Sequence, residues 1–218
     1  NLIMKKKIII VGGGGHAKVL IDLVKTLKSF KIAGIVDPKI KKGKKINGIK
    51  VLGDDNILPL LKKKGYKSLA LGIGSEGNNL KRYKIWKNLT DKGFKFPTLI
   101  HKNSFTSKNT KIGEGSQIFN QSVVNSGTSI GAITVINTST IVEHDCKIGS
   151  NVFTGTRATL CGGVIIEDNT FIGAQSCVLP KVKVKKNVLI AAGSLVNKSI
   201  EKNIFVKGVP AKHYKKKK

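Results

Sequence analysis

The chain has 218 residues, of which 40% are hydrophobic, so it can build one large core or two small ones and is not a disordered protein. Its formal net charge of +28 invites a nucleic-acid partner. However, lysines spread from Lys5 to Lys218, arginine occurs only at Arg82 and Arg157, and no nucleic-acid motif is present. We therefore expect a solvated basic surface, whose field attracts small anions, and no nucleic-acid partner.

Neither a membrane span nor a disulfide framework is expected. No apolar run approaches the ~20 residues that cross a bilayer, and the apolar run at Ile8–Val11 is too short for a signal peptide. Cys146, Cys161 and Cys177 are odd in number and lack CxxC spacing, which argues against disulfides and zinc. We expect a cytoplasmic protein that starts naturally at Met4 and uses its cysteines as small core residues.

The first part of the chain alternates strand and helix patterns. In chain order these are a strand at Ile8–Val11, a helix at Ala17–Phe30, a strand at Ile32–Val36, a helix at Ile57–Lys64, a strand at Ser68–Ile73 and a helix at Asn78–Lys92. This order predicts a small βαβαβ unit with a parallel sheet.

The glycine-rich loop after the first strand fits a nucleotide-binding turn. Gly12, Gly14 and Ala17 match GxGxxA, and Asp37 follows Ala17 at the spacing of dinucleotide-binding domains. Fewer than 100 residues precede the repeats described next, which is enough for one mononucleotide-binding half only. We expect a Rossmann-like half domain over residues 1–97. Alternatively, the glycines serve only a tight turn and close helix packing.

A six-residue period governs the rest of the chain. Fourteen of the fifteen residues met in steps of six from Ile112 to Val196 are Ile, Val or Leu. The residue four places after each of them is small or β-branched. This unbroken period predicts a parallel β-helix of hexapeptide repeats over residues 98–218.

One histidine interrupts this pattern in the stretch EHDC. Thr140 and Val142 are two apart and face inward, so His144 lies at or beyond the strand end and outside the core. Histidines titrate near neutrality and suit proton transfer. A solubilising histidine between two acids is the alternative reading. Because the repeats contain no insertion, we expect a neighbouring subunit to supply the walls of any site.

These motifs together resemble a known family. VGGGGHAKV with a short βαβ domain, hexapeptide repeats containing EHDC, and GVPAK at Gly208–Lys212 resemble the bacterial sugar acyltransferases typified by sialic-acid O-acetyltransferases and UDP-amino-sugar N-acetyltransferases. The resemblance covers nearly the whole chain. It implies a left-handed β-helix, a homotrimer with active sites between subunits, acetyl-CoA as acyl donor and no metal.

The resemblance also assigns residues. It implies that His144 is the catalytic base and that Asp145 orients it, with Glu143 a weaker candidate. It implies substrate contacts at Gly14, Gly15, His16, Asp37 and Gly74, and acetyl-CoA contacts at Ala174 and Ala192. Phe153 departs from the family, some members of which have a second histidine there. His101 and His213 are expected to serve structure or solvent contact.

The leading hypothesis is therefore an acetyl-CoA-dependent N-acetyltransferase that acts on a nucleotide-linked amino sugar in surface-glycan biosynthesis. O-acetylation of sialic acid or another sugar is the alternative enzyme, and a sugar-nucleotide-binding β-helix scaffold is the non-enzymatic one. The sequence does not separate amine from hydroxyl acceptors, nor does it fix the sugar or the acyl chain length.

Overall fold

The computed structural model describes residues 5–214, so the expected start at Met4 lies outside the described part. The chain divides into two compact units. The first is the chain up to Gly74 together with Lys84–Lys102, and the second is Ser75–Tyr83 together with the chain from Asn103 onward. The boundary expected between residues 97 and 98 stays a prediction. The short segment 75–83 precedes the repeats in the sequence but belongs to the same compact unit as they do.

The first unit is an α/β sheet. In chain order its elements are β1 Lys6–Val11, α1 Gly15–Thr26, β2 Phe30–Val36, β3 Lys45–Ile46, β4 Ile49–Gly53, a 3₁₀ turn at Asp55–Ile57, α2 Leu58–Lys63, β5 Ser68–Leu71, α3 Leu80–Asp91 and β6 Leu99–Ile100. The residues of α3 up to Tyr83 are grouped with the second unit and those from Lys84 with the first. The strand order is β3-β4-β2-β1-β5, and all neighbours are parallel except β3 and β4. Ile8, Ile9 and Ile10 of the central strand are fully buried. The predicted parallel α/β arrangement is confirmed.

Two local features differ from the prediction. Helix α1 ends at Thr26, because the chain must already be extended at Phe30, where β2 begins. The antiparallel pair β3–β4 was not predicted. Its turn is Asn47-Gly48, with φ of 44° and 82°, which is the residue pair that two-residue hairpins favour.

The second unit is a parallel β-helix of two-residue strands. They are β7 Phe105–Thr106, β8 Lys111–Ile112, β9 Gln117–Ile118, β10 Val123–Val124, β11 Ser129–Ile130, β12 Val135–Ile136, β13 Ile141–Val142, β14 Lys147–Ile148, β15 Phe153–Thr154, β16 Thr159–Leu160, β17 Ile165–Ile166, β18 Phe171–Ile172, β19 Cys177–Val178, β20 Lys183–Val184, β21 Leu189–Ile190 and β22 Leu195–Val196, followed by β23 Phe205–Lys207 and β24 Lys212–His213.

Every third strand stacks on the same face. One stack runs β7-β10-β13-β16-β19-β22, the second runs β8-β11-β14-β17-β20, and the third runs from β9 through β12, β15, β18 and β21 to β23 and the antiparallel β24. Val124 pairs with Val142 and Val142 with Leu160, so each coil consists of three hexapeptides. Thr140 and Val142 are both fully buried, as the spacing predicts.

The corners between stacks repeat one backbone conformation. From Gly115 to Gly193, the residue at each sixth position has a positive φ, between 49° and 75°. Glycine, asparagine and aspartate tolerate this left-handed conformation best, and Asp145 occupies one such position with φ 59°. The corner conformation therefore fixes where the Asp145 side chain leaves the coil.

The cysteines are only partly core residues, contrary to expectation. Cys146 is fully buried, but Cys161 and Cys177 are half-buried. Cys177 occupies the outward position of its strand next to the inward Val178, and Cys161 directly follows the inward Leu160. The alternation of the coil therefore turns both thiols away from the core.

The segment 75–83 is bonded to the coils within the second unit. Asn79 is 2% exposed, and its Nδ2 donates to the carbonyl oxygens of Asn151 (2.9 Å) and Thr170 (3.0 Å). In return, Asn151 Nδ2 donates to the carbonyl of Asn79 (2.9 Å). Arg82 is 1% exposed, and its Nη2 donates to the Ile133 carbonyl at 3.3 Å. Burial lowers the pKa of its guanidinium to about 10.

Candidate active site

The backbone around His144 is fixed by the coils on either side. The Glu143 carbonyl accepts a hydrogen bond from Thr128 Oγ1 (2.8 Å), and the His144 carbonyl accepts one from the Gly163 amide (2.9 Å). The Asp145 amide donates to the Ser126 carbonyl (3.0 Å). Strand β13 ends at Val142, so His144 lies just beyond its end, in a turn that is hydrogen-bonded to both the preceding and the following coil.

His144 and Asp145 form a hydrogen-bonded pair at the surface. Nδ1 of His144 lies 2.9 Å from Oδ2 of Asp145, and the two side chains are 64% and 72% exposed. A carboxylate at Nδ1 favours the tautomer with the proton on that nitrogen, which leaves Nε2 as a proton acceptor. The pair thus presents an oriented base to solvent.

Two glycines make room for this pair. A Cβ at Gly162 would lie 2.6 Å from His144 Nε2, and a Cβ at Gly127 would overlap Oδ1 of Asp145. Gly162 is one coil beyond His144, and Gly127 is one coil before Asp145. Neither glycine was predicted as a site residue, although a step of one full coil from the EHDC stretch leads directly to both.

The neighbours of the pair on the same corner are polar or thiol side chains. Asn125 Nδ2 donates to Glu143 Oε2 at 3.0 Å, so Glu143 is engaged away from the imidazole. Burial raises the pKa of the Cys146 thiol. Burial and, as a smaller effect, the neighbouring Cys177 raise the pKa of the Cys161 thiol to about 11. Both thiols are therefore protonated at neutral pH and are poor nucleophiles.

The glycine loop of the first unit is held by Asp37. Asp37 Oδ2 accepts a hydrogen bond from the Gly13 amide, and its Oδ1 accepts one from the Lys39 amide, each with a donor–acceptor distance of 2.7 Å. Gly12 has φ 95°, and a Cβ there would lie 3.3 Å from the Gly72 backbone, so this turn requires glycine. In this structure, Asp37 shapes the loop between β1 and α1.

The predicted substrate residues of this loop lie together. Gly14 is the N-cap of α1 and Gly15 its first residue, and a Cβ on either would meet nothing within 4 Å. His16 follows in the first turn, and a Cβ at Gly74 would lie 3.3 Å from the His16 Cβ. Backbone amides at a helix N-terminus that face open space form a suitable binding site for a phosphate.

The predicted acetyl-CoA residues lie at another corner of the β-helix. Ala174 follows β18 and Ala192 follows β21, at the same position of successive coils between the third and first stacks. Ala192 is exposed, and the Ala174 carbonyl accepts the Gly193 amide at 2.8 Å. His144 instead lies between the first and second stacks. One protomer does not bring the two sets together.

Phe153 is a buried packing residue. It is 6% exposed, stacks on Phe171 with ring centroids 5.8 Å apart, and lies 5.6 Å below the Arg82 guanidinium. Its ring offers no hydrogen-bond donor. Phe153 therefore contributes packing and a cation–π contact to the coil.

The histidines other than His144 and His16 lie at separate positions of the described chain. Among residues 5–214, no group of three or more His, Cys, Asp or Glu side chains could hold a metal ion. Burial, with Lys102 nearby, lowers the pKa of His101. His213 is exposed in β24. In the same range, no helix is long and apolar enough to cross a membrane.

Comparison with known proteins identifies the family. Residues 7–89 match the PglD N-terminal domain, and residues 163–198 match the bacterial transferase hexapeptide of six repeats. PerB from Caulobacter crescentus, solved with CoA and GDP-perosamine, is 32% identical with a TM-score of 0.88, and the alignment covers 96% of this chain and 97% of PerB. The chain belongs to the hexapeptide-repeat sugar acyltransferases.

Other structures of hexapeptide-repeat sugar acyltransferases match over similar lengths. The acetyltransferase domain of PglB from Neisseria gonorrhoeae, solved with acetyl coenzyme A, is 29% identical with a TM-score of 0.87, covering 96% of this chain and 100% of that domain. WeeI from Acinetobacter baumannii is 26% identical with a TM-score of 0.83, covering 95% and 99%. No curated protein matches significantly. The fold class predicted from the sequence, an α/β half domain followed by a left-handed β-helix, is confirmed.

Proposed function

We propose that the chain is an acetyl-CoA-dependent N-acetyltransferase that acts on an amino sugar linked to a nucleotide, in surface-glycan biosynthesis. The observation that carries this proposal is the contact of 2.9 Å between His144 Nδ1 and Asp145 Oδ2 at an exposed corner of the β-helix. A scaffold protein gains nothing from an imidazole that is oriented by a carboxylate and seated over a glycine.

Related structures support the choice of donor and acceptor. PerB was solved with CoA and GDP-perosamine, and the PglB domain was solved with acetyl coenzyme A. Two variants of the Caulobacter perosamine N-acetyltransferase, each with one histidine replaced, were solved with CoA and GDP-perosamine. That enzyme is an N-acetyltransferase, so these relatives favour a nitrogen acceptor over the hydroxyl of a sialic acid.

In the proposed reaction, the neutral amine of the sugar attacks the thioester carbonyl carbon of acetyl-CoA. His144 Nε2 takes the proton that the nitrogen loses as the new C–N bond forms. Asp145 holds the imidazole at Nδ1 and stabilises the imidazolium cation. The C–S bond then breaks, and the proton passes from the imidazolium to the departing sulfur, giving the N-acetyl sugar and CoA.

For the acceptor, we propose that the loop around Gly14, Gly15 and His16 takes the phosphate of the nucleotide, with Gly74 beside it. The open space at Gly14 and Gly15 and the N-terminus of the 12-residue helix α1 support this role. Asp37 contributes by holding the Gly13 amide. The same loop in a dehydrogenase would take NADH, so NADH that leaves the melting temperature unchanged supports this proposal.

For the assembly, we propose a cytoplasmic homotrimer in which one subunit supplies His144 and its neighbour supplies Ala174 and Ala192. The separation of these residues on different corners of one protomer supports this arrangement, as does the lack of any insertion in the coils. Light scattering tests it, because a trimer has three times the protomer mass of 23.5 kDa. A monomer that acetylates its substrate at full rate would refute the shared site.

The function is tested with a panel of acceptors. The chain is incubated with acetyl-CoA and, separately, GDP-, UDP- and dTDP-linked amino sugars or free sialic acid. Free thiol is measured over time, and the products are analysed by mass spectrometry. We expect thiol release and one added acetyl group with a nucleotide amino sugar. Turnover only with sialic acid would establish the O-acetyltransferase, and binding without turnover on any acceptor would establish the scaffold.

A further inference from the structure

Positive charge in the β-helix is concentrated at one end. Residues 103–178 contain three lysines, one arginine and five acids, whereas residues 181–214 contain eight lysines and one acid, Glu201. A general preference for lysine in this protein would have added lysines to both parts alike. The contrast therefore indicates a local cause.

These lysines share one end of the fold. All three stacks terminate in this part of the chain, at β22, β20 and β24. Seven of the eight lysines are exposed, and Lys185 pairs with Glu167 at 3.1 Å. The exposed ones are Lys181, Lys183, Lys186, Lys198, Lys202, Lys207 and Lys212. The sequence continues with four more lysines, Lys215–Lys218.

Apolar groups are exposed among these charges. Val209 is 71% exposed and Tyr214 is 40% exposed. The Lys207 ammonium lies 3.7 Å from the centre of the Tyr214 ring, and this ring forms a T-shaped contact with Phe205 at a centroid distance of 5.5 Å. The Tyr214 ring therefore already has a cation on its face and is less able to stack on a base, as nucleic-acid recognition would require. Tyrosine beside lysine is instead typical of side chains at a lipid headgroup layer.

We propose that this basic end, defined as the exposed lysines of residues 181–214 with Val209 and Tyr214, docks the enzyme on an anionic lipid bilayer. The lysines interact with lipid phosphates, and Val209 and Tyr214 enter the headgroup layer. His144 follows β13, three coils before the last strand of its stack, at ~14 Å for a spacing of ~4.8 Å per coil. Most of these lysines lie in the last coils, whereas Lys181 lies on the His144 corner, two coils beyond Asp145, where its amide donates to the Gly162 carbonyl at 3.0 Å.

The proposal is tested by co-sedimentation of the full chain with phosphatidylglycerol-containing vesicles and with pure phosphatidylcholine vesicles. The test variant combines Lys183→Glu, Lys186→Glu, Lys198→Glu and Lys202→Glu. The matched control combines Lys28→Glu, Lys31→Glu, Lys64→Glu and Lys67→Glu, which changes the net charge equally at exposed positions of the first unit. If the charge reversal unfolds the chain, glutamine replaces glutamate in both sets.

We expect binding to anionic vesicles alone, weakened by raising the salt from about 0.1 M to about 0.5 M. The test variant should lose about tenfold or more of this binding and the control less than about threefold. Equal loss in both variants would overturn the proposal, because binding would then follow net charge alone. Release by saturating CoA would overturn it by assigning the lysines to the CoA phosphates. Tighter binding to RNA or DNA than to vesicles would overturn it in favour of a nucleic acid.

Discussion

Gly162 lies against the His144 imidazole, which occupies the space that a side chain at residue 162 would fill. A Cβ at Gly162 would lie 2.6 Å from Nε2 and 2.8 Å from Cε1, closer than carbon and nitrogen atoms that are not bonded can approach. Gly162 does not have the positive φ of its neighbour Gly163 (69°), so alanine is compatible with its backbone. The missing side chain therefore serves the histidine.

Gly162→Ala should lower kcat by about 10- to 100-fold, because it displaces the atom that accepts the proton. The free energy of unfolding should change by less than about 1 kcal/mol. A double-mutant cycle provides the control. In a His144→Ala background, Gly162→Ala should have no further effect on kcat. An equal loss in both backgrounds would show that Gly162 does not act through His144.

Asp145→Asn should lower kcat by about 10- to 100-fold at unchanged stability. Asparagine tolerates the left-handed backbone at φ 59°, but its amide cannot stabilise an imidazolium as a carboxylate does. The measurement is kcat at saturating substrates for both proteins, with urea midpoints as the check on stability. A kcat identical to wild type would exclude Asp145 from positioning the base.

Asn79→Ala should destabilise the second unit. It removes three hydrogen bonds of a side chain that is 2% exposed, because Asn79 Oδ1 also accepts one from Ser75 Oγ. It leaves the carbonyls of Asn151 and Thr170 without those donors. We expect a loss of about 2–4 kcal/mol in the free energy of unfolding in urea. Asn109→Ala, at an exposed position of the same unit, is the control and should change it by less than about 0.5 kcal/mol. Equal effects would show that Asn79 does not hold segment 75–83.

Glu167→Gln should flatten the acid side of the stability profile. The hydrogen bond from Lys185 lowers the pKa of Glu167 below its ordinary value of 4.5. Because the folded-state pKa lies below the unfolded one, the stabilisation is present above about pH 4.5 and is lost as the pH falls through the folded value. Urea midpoints on both sides of this pH test it. The wild type should lose more stability on acidification than the variant, and parallel losses would contradict the assignment.

The sequence predicted most of the β-helix because its period is carried by single residue types. One inward aliphatic residue and one small residue per hexapeptide suffice to place Val142 inside and His144 outside. The hairpin at Asn47-Gly48 also had a local signal, which the strand–helix alternation obscured. The left-handed corner positions form a third period of six, visible in Gly115, Gly127 and Asn151.

Other features depend on contacts that no local pattern records. The contact between Gly162 and the His144 imidazole arises only when successive coils stack with strand β16 on strand β13. The bonds of Asn79 to Asn151 and Thr170 join parts of the chain that are far apart in sequence, and segment 75–83 has no period of its own. The outward turn of Cys161 and Cys177 follows from the strand register, which overrides the tendency of cysteine to be buried.

The central claim is that His144 removes the proton from the acceptor amine. The most direct measurement is kcat of His144→Ala, from free-thiol release with acetyl-CoA and the nucleotide amino sugar that the wild type accepts. Circular dichroism and light scattering should show an unchanged fold and assembly. We predict that kcat falls by about 1,000-fold or more. A kcat within about fivefold of wild type in a folded variant would contradict the account.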